Sequence, residues 1–386
     1  MKNTRKVLTV FGTRPEAIKM APLICALKDD PQIDCKVAVT AQHREMLDQV
    51  LNLFQVIPDY DLDIMRAGQT LFEITSRSLL GLQHILLKEK PDLVLVHGDT
   101  STTFIGALAA YYYKIPVGHV EAGLRSGNKY SPFPEEINRR LTGVLGDLHF
   151  APTQRAAQNL RQEGHDSAGI YITGNTVIDA LLDTVKNNFR FPNAILNSID
   201  FTTQRVLVLT THRRENLGEP MRQIYAAIRE LVQEFSDVVI VFPVHKNPAV
   251  RRVVQKELGD LERVKLIEPL EYQVFANLMN KSYLVLTDSG GLQEEAPSLG
   301  KPVLVLRENT ERPEAVEAGT VKLVGTKRES IYRETKELLT DKNAYNRMAR
   351  AVNPYGDGQA SRRIVETLHY FWGWRKERPE DYGTIQ

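Results

Sequence analysis

Short apolar runs rich in β-branched residues alternate with longer stretches of helical periodicity from one end of this chain to the other. Strands separated by helices pair parallel rather than as hairpins, and the helices then cover both faces of the sheet. The alternation therefore predicts an α/β fold. In the first half the apolar runs are Lys6–Phe11, Asp34–Thr40, Leu93–Val96, Val117–Val120 and Leu148–Ala151. In the second half they are Arg205–Thr210, Val238–Pro243, Val264–Ile267, Leu284–Thr287 and Pro302–Val305, and Gly, Pro, Asn or Asp stands close behind most of them. Two doubly wound parallel sheets are expected.

A chain of 386 residues exceeds what one hydrophobic core usually serves, so each sheet implies its own domain. The expected division is 1–172 and 173–360. The tail 361–386 carries a helix with Ile364, Leu368, Phe371 and Trp372 on one face, expected to pack back on the first domain. With 49 Lys+Arg against 48 Asp+Glu, no overall field draws the protein onto nucleic acid or an anionic membrane. Two cysteines, Cys25 and Cys35, make neither a disulfide framework nor a metal-ligand cluster. No apolar run approaches the ~18 residues of a membrane span, and the run before Gly12 is too short for a signal-peptide core. A soluble cytoplasmic protein without metal, membrane or nucleic-acid partner is expected.

Open α/β sheets bind ligands outside the carboxyl ends of their strands, and those positions here are rich in charge. The first strand runs into Gly12-Thr13-Arg14-Pro15-Glu16-Ala17-Ile18-Lys19, which is not a GxGxxG dinucleotide fingerprint. Arg14 and Lys19 either meet a phosphate or carboxylate at this helix start or are ordinary surface cations. His97-Gly98-Asp99-Thr100 places Asp99 at a strand end, as an acid for chemistry or as a helix cap. Glu121, in His119-Val120-Glu121-Ala122-Gly123-Leu124-Arg125, is a second strand-end acid, unless it simply pairs with Arg125. Glu135 and Glu136 open a helix after a two-proline loop, where acids also complement the helix dipole.

In the second half, Thr211-His212-Arg213-Arg214 and His245-Lys246-Asn247 form donor clusters suited to a diphosphate or to a basic surface loop. Ser289-Gly290-Gly291 follows a strand and opens a helix, a turn whose backbone N–H groups make an anion site. Glu295, about one turn further on, could accept both hydroxyls of a ribose. Arg312 lies in a later loop, as a ligand contact or as part of a solvated turn.

The segments GTRPEAIK, HGDTSTT, HVEAGLRS, SPFPEEINRR, THRREN, TDSGGLQEEAP and TERPEAV, in this order, resemble the bacterial non-hydrolysing UDP-N-acetylglucosamine 2-epimerases. The resemblance implies a glycosyltransferase-B-like pair of Rossmann-like domains with the active site in the cleft between them. It also implies a homodimer and a reversible conversion of UDP-N-acetylglucosamine to UDP-N-acetylmannosamine for cell-surface polysaccharide. The route it implies eliminates UDP to 2-acetamidoglucal and adds it back, with no cofactor. By the same resemblance Asp99, Glu121 and Glu135 look like the acid/base carboxylates, which would raise one another's pKa values when clustered. Arg14, Lys19 and His212 look like groups stabilising sugar or diphosphate. Ser289, Gly290 and Gly291 look like diphosphate ligands, Glu295 a ribose ligand and Arg312 a further contact. Bacterial members also bind a second UDP-N-acetylglucosamine as activator, for which Gln42, His43, Arg213 and His245 are candidates, although Gln42 and His43 could simply cap the next helix. A sugar transferase of the same fold, a hydrolysing epimerase and a silent sugar-nucleotide sensor are the other readings of these residues.

Overall fold

The computed structural model describes residues 4–41, 44–66 and 68–383. The chain forms two compact units: one runs to Asp183 and resumes at Tyr355, and the other spans Thr184–Pro354.

The first unit is built on seven strands, β1 (Arg5–Phe11), β2 (Ile33–Val39), β3 (Tyr60–Asp61), β4 (Leu93–His97), β5 (Val117–Val120), β6 (Leu148–Ala151) and β7 (Ile170–Ile172). They lie in the order β3-β2-β1-β4-β5-β6-β7, and every pair is parallel. The second unit has six, β8 (Arg205–Thr210), β9 (Val238–Pro243), β10 (Val264–Ile267), β11 (Leu284–Thr287), β12 (Val303–Val305) and β13 (Val321–Leu323). Their order is β10-β9-β8-β11-β12-β13, again all parallel. Strands buried on both faces read as continuous apolar runs, which is why Leu93-Val94-Leu95-Val96 and Val238-Val239-Ile240-Val241-Phe242 are legible without alternation.

Each sheet reverses its winding direction at one place, between β1 and β4 in the first and between β8 and β11 in the second. At such a switch point the loops leaving neighbouring strands turn to opposite faces and open a crevice. The chain leaves β1 at Gly12, β4 at Gly98, β8 at Thr211 and β11 at Asp288. Most of the polar candidates therefore stand at the two positions where topology leaves room for a ligand.

The unit boundary falls later than 172/173. The helix Thr176–Thr184 belongs to the first unit because it is tied to the returning chain: Asn175 N–H donates to Tyr355 O at 2.7 Å. The buried Asp179 accepts the N–H groups of Ala360 (3.2 Å) and Ser361 (2.7 Å), the first residues of the helix Ala360–Phe371. A carboxylate on a helix's orphan donors satisfies the backbone and suits the dipole. Residues 355–360 thus go with the first unit rather than the second. In the tail helix Ile364 and Leu368 are buried, and His369 Nε2 lies 2.7 Å from Asp30 Oδ2 at the end of the helix Arg14–Asp29. Phe371, read on the same face, is 41% exposed because the helix ends there. Among the described residues no helix is long and apolar enough to cross a membrane.

Candidate active site

Gly12 ends β1 against the neighbouring loops so closely that no side chain fits. A Cβ there would stand 2.1 Å from Thr40 Oγ1 and 2.6 Å from Thr102 Oγ1. The following helix starts at Arg14, with Pro15 in its first turn, where a missing N–H costs nothing. Glu16 turns back and accepts the N–H groups of Gly12 (3.1 Å) and Thr13 (2.8 Å) and the Thr100 hydroxyl (2.7 Å). Its burial pushes the carboxyl pKa up, against those donors. Glu16 thereby fastens the loop after β1 to the loop after β4, across the switch point.

One turn beyond Glu16, Lys19 Nζ forms an ion pair with Glu121 Oε2. Asn175 Nδ2 donates to the same oxygen at 2.8 Å, and His97 Nε2 stands 4.0 Å from it. Glu121 has φ of +63°, in a left-handed region that few residues other than glycine adopt. Holding a side chain there costs roughly 1–3 kcal/mol, and such strain concentrates at functional positions. Here it sets the carboxylate just past the end of β5, facing Lys19. The alternative Glu121–Arg125 pairing does not form, because Arg125 makes a two-pronged contact with Glu163 at 2.8 and 2.6 Å.

Asp99 follows Gly98, whose φ is +71°. It does not cap the next helix; Thr100 does, accepting from Thr103 N–H at 3.3 Å. Instead the Asp99 carboxylate pairs with Arg139, and Asn138 Nδ2 donates to Asp99 O at 3.0 Å. Arg139 also lies 3.2 Å from Glu136. Glu136 is the fully buried member of the acidic pair, accepting the N–H groups of Ser126 (3.0 Å) and Gly127 (3.3 Å). Its neighbour Glu135 opens the helix Glu135–Leu145 and is half-exposed. Asp99 and Glu121 thus each face a cation, the reverse of carboxylates left to repel one another. Among the described residues, neither Arg14 nor Glu135 forms an ion pair.

Behind these acids lies a group of histidines on β4, β5 and β6. Desolvation lowers His97 to about 4 and both His119 and His149 to about 3. His119 Nε2 meets Gly98 O at 2.7 Å and so supports the turn that carries Asp99. All three are neutral near pH 7.

In the second unit, the fully buried Asp288 organises the loops after β8 and β11. Its Oδ2 accepts the N–H groups of His212 and Arg213, both at 2.9 Å, and Asn216 Nδ2 at 3.0 Å. Its Oδ1 lies 2.9 Å from His212 Nδ1. Burial alone would raise this carboxyl, but the His212 ring and the backbone donors hold it below its usual range. The His212 ring stacks on His245, with centroids 6.2 Å apart and planes at 24°. The side chains of Arg213 and Glu311 lie 3.7 Å apart.

Ser289, Gly290 and Gly291 follow Asp288 and lead into the helix Leu292–Ser298. A Cβ on Gly290 would stand 3.8 Å from the Arg213 guanidinium, and one on Gly291 3.5 Å from Glu295 Oε1. The Gly-Gly turn therefore brings a cation and a carboxylate to one stretch of open backbone. Arg312 is held by the buried Glu294, and Arg307 grips Glu311 at 2.7 and 3.0 Å. Gln42 and His43 lie outside the described residues.

Sequence reasoning missed His97, Arg139, Asn175 and Asp288. Three of them sit inside or beside segments already singled out, HGDTSTT, SPFPEEINRR and TDSGG, while Asn175 begins TGNTVIDALL and reads there only as a helix start.

A family model described as UDP-N-acetylglucosamine 2-epimerase matches residues 25–369. The UDP-N-acetylglucosamine 2-epimerase of Bacillus subtilis (strain 168) is 60% identical over 377 residues, covering 98% of both chains. A structure from S. aureus solved with UDP superposes with a TM-score of 0.85 at 54% identity, over 98% of this chain and 100% of that one. The Neisseria meningitidis UDP-GlcNAc 2-epimerase bound to UDP-GlcNAc gives 0.82 at 53% identity, over 95% and 100%.

Proposed function

Since the chain belongs to the UDP-N-acetylglucosamine 2-epimerase family, we propose that it inverts C2 of UDP-N-acetylglucosamine reversibly, without hydrolysis. The C2 hydrogen has no carbonyl beside its carbon, so direct proton exchange would be too slow. Elimination of UDP across C1–C2 gives 2-acetamidoglucal, and protonation on the opposite face with return of UDP gives UDP-N-acetylmannosamine.

The observation that carries this reading is the strained Glu121 carboxylate, pinned by Lys19 and Asn175 at a strand end. A carboxylate oriented in this way can move a proton, and the paired lysine balances its charge. Asp99, positioned by Arg139, and Glu135 at the next helix start complete the acid/base set of the first unit. Arg14 and Lys19 stabilise charge on the sugar.

The second unit supplies groups for the leaving diphosphate: His212, and the backbone of Ser289, Gly290 and Gly291. Stabilising the charge that develops on a leaving group is often the largest single contribution to catalysis. Glu295 takes the ribose hydroxyls, and Arg312, released from Glu294, the ligand's charged portion. A second UDP-N-acetylglucosamine acts as activator through Arg213, His245, Gln42 and His43. The enzyme works as a cytoplasmic homodimer and supplies N-acetylmannosamine units for surface polysaccharide.

The test is incubation of the purified protein with UDP-N-acetylglucosamine and no acceptor. UDP-N-acetylmannosamine should accumulate to a fixed ratio with substrate. Free N-acetylmannosamine rising in step with turnover would identify a hydrolase instead, and no conversion without an added acceptor would point to a transferase.

A further inference from the structure

Asp288 is a carboxylate with no surface exposure, placed at the switch point of the second sheet directly against a histidine. Its two oxygens have different surroundings. Oδ2 accepts from two backbone N–H groups and from Asn216 Nδ2. Oδ1 faces His212 Nδ1 at 2.9 Å without an aligned hydrogen bond. Catalytic hydrogen bonds are often out of line until substrate binds.

We propose that Asp288 is the positioning residue for His212, holding Nδ1–H toward its own Oδ1 so that Nε2 is presented to the diphosphate. The His212 side chain is 41% exposed, so its far edge is open while its near edge meets the buried acid. An imidazole keeps its orientation and tautomer through the partner of its second nitrogen. With Nδ1 turned to the acid, Nε2 is left facing outward, where a ring nitrogen that carries a proton donates to a phosphate oxygen. The stacked His245 ring fixes the plane from the other side. This inference rests on the reading of His212 as a diphosphate ligand, but the orientation can be measured without any reaction.

Asp288→Asn separates positioning from loop support. Three donors hold an acceptor at the Oδ2 place, so the amide oxygen of Asn must sit there and its NH2 must face His212 Nδ1. Nδ1 then has to accept, and the neutral ring switches to the Nε2–H tautomer. The readout is two-bond 15N–1H correlation spectroscopy of the histidine rings in the full-length protein, with His212 assigned from its disappearance in His212→Asn. The expected wild-type ring carries hydrogen on Nδ1. In Asp288→Asn it should carry hydrogen on Nε2, and kcat should fall by roughly 10²-fold while KM changes by less than about 3-fold.

Asn216→Ala removes a loop contact to Asp288 and leaves the His212 pairing, so the tautomer should stay and kcat should hold within about 3-fold. A wild-type ring with hydrogen on Nε2 and none on Nδ1 would overturn the proposal, even if Asp288→Asn fails to fold. So would an unchanged tautomer in Asp288→Asn, or an equal loss of kcat in Asn216→Ala. A switched tautomer with undiminished kcat would leave the orientation standing and refute the part given to His212 in the reaction.

Discussion

The first unit should lose stability as pH falls below about 6.5, because it buries three histidines in neutral form. Desolvation takes His97 from 6.5 to about 4, and His119 and His149 to about 3. At about 1.4 kcal/mol per pKa unit, charging His97 inside the fold costs roughly 3 kcal/mol. These groups are depressed relative to the unfolded chain, so the stability they contribute is whole above about 6.5 and is lost as pH falls toward about 4 and then 3. Near pH 5.5 the unfolded chain binds up to three more protons here than the native state, a ceiling of about 4 kcal/mol per pH unit. The buried Glu16 and Asp179, whose carboxyls are raised by desolvation, take up protons in the folded state and work the other way. The net slope should therefore lie at about 1–3 kcal/mol per pH unit. Trp372 and Trp374 are the only tryptophans, and both belong to the first unit, so intrinsic fluorescence during urea unfolding reports on it. The midpoint should drop between about pH 7 and pH 5.5, and His149→Gln should flatten the dependence by about 1.4 kcal/mol per pH unit. A midpoint that holds or rises over this interval would refute the account of the histidines.

Further substitutions probe the same framework. Gly12→Ala would set a methyl group 2.1 Å from Thr40 Oγ1 and should cost about 1–3 kcal/mol in chemical denaturation. Asp179→Ala strips the first donors of the tail helix of their acceptor, so about 1–2 kcal/mol and faster proteolysis after residue 355 are expected. Glu121→Gln removes the charge that pairs with Lys19 and a proton-transfer group. A fall in kcat of roughly 10²–10⁴-fold is expected in the coupled assay, while turnover near wild type would remove Glu121 from the mechanism.

How much of this was legible before folding depended on where each signal lies. Buried parallel strands declare themselves as unbroken apolar runs, so ten of the thirteen strands among the described residues were found to within a residue at either end. The three missed, β3, β7 and β13, span two or three residues each and owe their place to the neighbouring strand rather than to their own sequence. Acids at strand ends were visible because apolar runs stop at them. Their partners were not: Lys19 and Glu121 are 102 residues apart, and Asp99 finds Arg139 rather than a helix cap. In TDSGG the glycines drew attention to the backbone, while the buried Asp288 beside them takes its meaning only from β8, its neighbour across the switch point. The unit boundary moved for a similar reason, since the Asp179 carboxylate and the tail helix it receives are 181 residues apart in sequence.

The central claim is that C2 is inverted through elimination and re-addition of UDP, and the hydrogen at C2 reports on it directly. Turnover of UDP-N-acetylglucosamine in deuterated water should give UDP-N-acetylmannosamine carrying deuterium at C2, read by NMR or mass spectrometry before equilibrium is reached. Product that retains the original C2 hydrogen would contradict it.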